Sequence, residues 1–145
     1  MAVLKEVKQK KIIMGRLRHG ADLLEELTDI CKKGNIVLGG IKAIGAVQKA
    51  CIGFYDQEKR EYKYIKIDKP LEITNLTGNI SIKDNNPFVH AHITLADSKG
   101  RAFGGHLSQG TIVFACECVI EVLEGPVFER GFDQETGLSL WEIKE

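Results

Sequence analysis

Three of the chain's four histidines fall within PFVHAHITLADSKGRAFGGHLSQG, residues 87–110. His90 and His92 form an H-x-H pair, and His106 follows after thirteen residues. The run FVHAHITL alternates. Val89, Ala91, Ile93 and Leu95 make one wholly apolar row, so Phe88, His90, His92 and Thr94 stand on the opposite face of a strand. Residues two apart on a strand have Cα atoms about 6–7 Å apart, close enough for two imidazoles to converge on one ion at about 2.0–2.1 Å from each nitrogen. DSKG reads as a hairpin turn that brings the returning strand alongside. Gly104 and Gly105 let that strand approach closely or bulge, re-aiming His106 toward the pair. Three histidines with an open fourth position describe a catalytic type of zinc site. Nickel, iron, manganese and cobalt accept the same donors. An H-x-H pair also occurs on strands that hold no metal; the clustering and the flanking glycines favour a site.

Such an ion acts as a Lewis acid, or lowers the pKa of bound water toward about 7. A general acid or base is then needed nearby. Glu117 is a candidate: FACECVIE reads as a strand with Phe114, Cys116, Cys118 and Ile120 on one face. Glu117 is on the other with Val113, Ala115 and Val119, as a half-buried carboxylate or as an exposed or intersubunit charge. Arg16 and Arg101 are candidates to grip a substrate carboxylate, which guanidinium does bidentately. Arg16 suits a subunit contact equally well. His19, at the end of the first strand, reads as a surface residue. Cys31, Cys51, Cys116 and Cys118 form no CxxC pair, and Cys116 and Cys118 are badly placed for a mutual disulfide. They read as small buried side chains. LGGIKAIGA lacks the G-x-x-x-x-G-K-[ST] order of a phosphate loop.

The elements that must position these groups are mostly strands. ADLLEELTDICKKG is the clearest helix: Leu23, Leu24, Leu27, Ile30 and Cys31 share a face, Asp22 caps it, Lys32 and Lys33 suit its C-terminus and Gly34 stops it. KKIIMGRLRHG, NIVLGGIKAIGAVQKACIGFYD and REYKYIKID read as strands. PLEITNLTGNISI reads as a pair of extended segments around Gly78, and DNNP, residues 84–87, as a loop. TIVFACECVIEVL is expected to be the longest strand, and the tail to form two short strands around DQETG. Residues 1–145 thus read as one α+β domain, one main helix against a bent, largely antiparallel sheet whose glycines suggest a partly closed barrel. With 20 basic and 20 acidic residues the net charge is zero, against the basic excess expected of a direct DNA binder. No apolar run approaches the roughly 20 residues of a membrane span, and no signal peptide is evident, so the expected location is cytoplasmic.

In order, RLRHGADLLEEL, IVLGGIKAIGAV, GFYDQEKREY, LEITNLTGNIS, PFVHAHITLAD, GRAFGGHL and FERGFDQETGLSLW resemble the PPC family, the domain shared by plants and prokaryotes. The resemblance runs from about Arg16 to Trp141, with HGAD standing where members commonly read G-E-D. It implies a compact domain assembling as a homotrimer. Plant members join this domain to an R-G-R-P AT-hook and act in transcription. No R-G-R-P occurs here, so the DNA-binding label of the family is not supported by these residues. The fold so implied is also similar to that of acetolactate decarboxylase, whose zinc is held by an H-x-H pair and a later histidine on adjacent strands; His90, His92 and His106 match that set type for type. Three readings follow: a metal-binding trimer, a zinc enzyme acting on a small carboxylate or carbonyl compound as a lyase or hydrolase, and a regulatory or DNA-associated module working through a partner.

Overall fold

The computed structural model describes residues 2 and 4–142. Its elements run β1 (Lys8–Leu17), α1 (Leu23–Lys33), β2 (Gly39–Asp56), β3 (Glu61–Ile67), β4 (Leu71–Lys83), β5 (Asn86–Ala96), β6 (Ala102–Leu107), β7 (Ile112–Glu124), β8 (Arg130–Phe132) and β9 (Ser139–Trp141). The single helix forms where its apolar stripe predicts. Leu23, Leu27 and Cys31, spaced by four, are buried. The Asp22 carboxylate accepts from the backbone N–H of Glu25 at 3.1 Å and of Gly110 at 2.7 Å, tying the helix start to the loop before β7. Gly34 ends the helix in a right-handed conformation, and it is Asn35, at φ 48°, that takes the left-handed turn.

The main sheet is antiparallel, in the order β1-β7-β2-β4-β5-β6, with β3 added to β2. β2 is 18 residues long, so it, rather than the 13-residue β7, is the longest strand. Its first half pairs with β7 and β4. Its second half pairs with β3 and, through Ile52↔Leu107 and Gly53↔His106, with β6. The circuit β2-β4-β5-β6-β2 therefore closes on itself as a small barrel, with bulges near Gly45 accommodating the bend.

Two other expectations are corrected. LEITNLTGNISI is one continuous strand, and Asn86 and Pro87 already belong to β5. The connection is a two-residue turn: Asp84 (φ 50°) and Asn85 (φ 62°) both take positive φ, as a turn matched to sheet twist requires. A bulge where Ala46 and Val47 meet Ala115 and Val113 turns Phe114 outward, away from the buried row of Cys116, Cys118 and Ile120.

Closure brings backbones close at Gly105, where an added Cβ would lie 2.6 Å from the Gly53 carbonyl oxygen; at Gly104 the nearest atom would be 3.1 Å away. Gly105→Ala is therefore expected to cost about 1–3 kcal/mol in urea unfolding and Gly104→Ala clearly less. Equal costs would show that β6 is not wedged against β2.

Candidate metal centre

β5 separates two environments. Val89, Ala91, Ile93 and Leu95 are buried in the core, which also holds the apolar face of α1. His90 and His92 lie on the other face, ring centroids 5.1 Å apart. His106 arrives on β6 directly opposite His92, in unbroken register with Ile93↔Gly105 and Thr94↔Gly104 following. Directly paired antiparallel residues share a face, so no bulge is needed to aim His106 at the pair, contrary to the reading of the glycine doublet. The glycines instead let β6 nest between β5 and β2. His106 lies 5.2 Å from His90 and 5.8 Å from His92, centroid to centroid.

The ligand atoms of the three histidines all lie within 4.8 Å of one another. His106 Nδ1 is buried and has no hydrogen-bond partner among the described residues. Buried polar nitrogens are normally satisfied, and coordination to an ion is one way to satisfy this one. Among the described residues no cysteine, aspartate or glutamate joins the group. An all-imidazole, neutral donor set suits zinc and its neighbours in the first transition series. The residues present fit a metal.

The electrostatics favour the ligand form. Burial, reinforced by Arg130 and then by the other two histidines, drops the His90 pKa to about 4. Burial, His92 and Arg130 lower that of His106. Neutral imidazole is the form that binds metal.

Arg130 escaped the sequence reading. It enters from β8, donating from Nε to the Ser81 hydroxyl at 2.9 Å, from Nη1 to the Ser139 carbonyl at 3.1 Å and from Nη2 to Asn79 Oδ1 at 2.9 Å. Nη2 lies 3.5 Å from His90 Nδ1, the outer limit of a hydrogen bond. Asn79 sits on β4 directly opposite His90. Nothing local in FERGF marks this arginine; it could be found only from the register of β4 with β5 and the return of the tail. A cavity of about 400 Å³ opens beside the cluster, lined by His90, His106, Arg130, Arg60, Glu61 and Lys83 among others. The Tyr62 ring lies 4.9 Å from that of His106, tilted by 36°.

None of the three proposed catalytic side chains lines that cavity. Arg16 and Glu117 face each other across β1 and β7, both exposed, on a different surface. Of the two readings of Glu117, the exposed charge holds and the half-buried carboxylate does not; the sheet's outer face there is open. Arg101 is committed to the β5–β6 turn, its Nε 2.8 Å from Asp97 Oδ2. His19 is exposed, as expected. The thiols are buried, and burial pushes Cys31 up to about 11 and Cys116 to about 12, which keeps them protonated.

With this geometry in view, similarity to known proteins becomes informative. Residues 4–124 match the profile of the Plants and Prokaryotes Conserved (PCC) domain. The chain belongs to that family. Its fold superposes on a metal-containing protein from Archaeoglobus fulgidus with a TM-score of 0.93, at 42% identity, covering 98% of this chain and 100% of that one. A plant- and prokaryote-conserved (PPC) protein from Pyrococcus horikoshii gives 0.92 at 36% identity, over 99% of both chains. A Bacteroides thetaiotaomicron protein with DNA binding in its name gives 0.84 at 27%, over 94% of this chain and 96% of that one. A curated relative, the bifunctional protein GlmU from a Synechococcus strain, is 30% identical over 88% of this chain, which spans only 19% of that protein's length. Among the described residues no helix is long and apolar enough to cross a membrane.

The low histidine pKa values have a measurable consequence for the metal-free PCC domain. Unfolded histidine takes a proton near pH 6.5, whereas folded His90 does so only near about 4. Between those values the unfolded chain binds more protons, so stability falls as the pH drops through that window. Thermal unfolding of EDTA-treated protein from pH 7.5 to 4.5 is expected to show a declining Tm, and His90→Gln to flatten the slope. A Tm level across that range would contradict the burial of neutral imidazole.

Proposed function

We propose that this PCC-domain protein binds a divalent metal, zinc foremost, through His90, His92 and His106, and offers its remaining coordination position to a small ligand in the adjoining cavity. The observation that carries this reading is the convergence of three imidazoles within 4.8 Å, with no further protein donor among the described residues. A closed structural site would show a fourth ligand. The metal-containing relative from Archaeoglobus fulgidus supports the same reading. When bound, such an ion supplies Lewis acidity. The protein's part is to hold His90 and His106 neutral, to place His92 beside them and to shape the cavity.

The second reading, a metalloenzyme acting on a small carboxylate or carbonyl compound, is favoured by that cavity. A structural ion would need none. Direct DNA binding has less support, since the chain carries no net charge. We also propose a homotrimer. The outer face of β1, β7 and β2 exposes Ile12 at 53%, Met14 at 77% and Ile44 at 58%, interleaved with Arg16, Lys42 and Glu117. An apolar row within a charged frame on a sheet face suits a subunit interface.

Elemental analysis of protein expressed in zinc-replete medium is expected to find about one ion per chain, and His92→Ala to bind it at least about a hundredfold more weakly, since even an outer-shell loss costs 10–100-fold. Metal-free wild-type protein from that medium would refute the site. Ile44→Asp is expected to convert a trimer to monomer in sedimentation analysis while leaving zinc content unchanged; a monomeric wild type would refute the assembly.

A further inference from the structure

Among the described residues no ion pair joins a carboxylate to the charge of Arg130, although Glu142 lines a neighbouring cavity with it. Arg130 is half-buried, and its guanidinium lies between the Phe88 ring, 5.2 Å from its centroid, and the Trp141 ring, at 5.6 Å. Three of its partners are neutral oxygens, of Ser81, Ser139 and Asn79, and the fourth contact is the His90 ring nitrogen. Guanidinium has five N–H donors, so one on Nη1 remains, and the Nη2 donor toward His90 is only weakly engaged. Partly desolvated cations are costly without a counter-charge.

The surroundings deepen the imbalance. Arg60 and Lys83 also line the cavity, against a single carboxylate there, Glu61. Arg60 donates to the carbonyls of Gln134 and Glu135 and also acts on the nearby Asp133 carboxyl, Lys83 lies over the Phe88 ring at 5.2 Å, and among the described residues neither makes an ion pair. The histidines add no negative charge. The rest of the wall is aromatic and aliphatic: Tyr62, Phe88, Phe132, Leu138 and Leu140. A cavity of about 400 Å³ is within the range of small-molecule sites.

We propose that this cavity binds a small organic carboxylate with an apolar body, its carboxylate held by Arg130 beside the three histidines and its body against the aromatic wall. The planar guanidinium edge matches a carboxylate, and inorganic anions have nothing to set against the apolar wall. Arg130 is the anchor by its own geometry; the inference rests on the metal reading only for the added affinity that an ion at the histidines would give.

Trp141 is the only tryptophan of the chain and flanks Arg130, so its fluorescence reports on the site. EDTA-treated and zinc-loaded protein would each be titrated with benzoate, mandelate, acetate and inorganic phosphate, with calorimetry in parallel. Benzoate and mandelate are expected to give saturable changes in both forms, tighter with zinc, and at least about tenfold tighter than acetate or phosphate. Arg130→Met is expected to weaken benzoate at least about tenfold, the scale of one charged hydrogen bond, while retaining zinc. Should Arg130→Met fail to fold, Arg130→Lys, which keeps the charge and loses the fork, is expected to weaken benzoate several-fold with unchanged circular dichroism. Arg130-dependent benzoate binding in protein that takes up no zinc would support this inference and sink the metal reading alone. Undiminished benzoate binding in the Arg130 variants, phosphate binding as tight as benzoate, or no saturable response in either form would overturn the proposal.

Discussion

The histidine cluster depends on the pleat of one strand. β5 buries Val89, Ala91, Ile93 and Leu95 on its core face and leaves His90 and His92 on the other. Each large apolar side chain on that face contributes roughly 1.5–3 kcal/mol by leaving water. A slip of one residue would expose them all and drive two imidazoles into the core, at a few kcal/mol for each unpaired polar group. The hydrophobic core thus enforces the register that places the histidines. No interaction among the histidines themselves is needed to hold them together, so the cluster is preorganised without an ion.

Closure of the barrel does the rest. His92 faces His106 across β5 and β6, and Gly53 faces His106 across β2 and β6. β6 is held from both sides, and Gly105 is the residue whose missing side chain permits it. The third histidine is therefore fixed by a contact between β2 and β6 that lies some fifty residues apart in sequence.

This explains what could be read from the sequence. The β5 alternation, the capped helix and the tail hairpin are local patterns of period 2 and 3.6, and each was legible. The H-x-H pair inherits its geometry from one strand, so it too was legible. For His106 the expected hairpin and close approach of the glycine strand hold, and only the bulge is absent: its aim comes from direct cross-strand pairing. The bulge that does matter lies in β7, where it turns Phe114 out and upsets the simple alternation. Glu117, Arg16 and Arg101 have suitable chemistry but stand away from the cavity beside the histidines, because their place depends on which sheet face and which turn they occupy. Arg130 was missed since it reaches His90 from 40 residues away through a two-stranded ribbon. Side chains delivered by non-local pairing carry no local signal.

The balance of donors and bases at the cavity constrains its chemistry. Arg130 only donates. Burial raises the Tyr62 hydroxyl above its usual pKa, so at neutral pH it too is a protonated donor. His90 and His106 are held neutral and poorly basic. Glu61, the one carboxylate among the described residues lining the cavity, is solvent-exposed. A general base poised near neutrality would need a buried carboxylate or an unencumbered histidine, and the described residues of the wall include neither. Under the proposed reading, Arg130 would grip the anion and an ion on the histidines would supply Lewis acidity, while the described residues of the wall offer no group set up to abstract a proton.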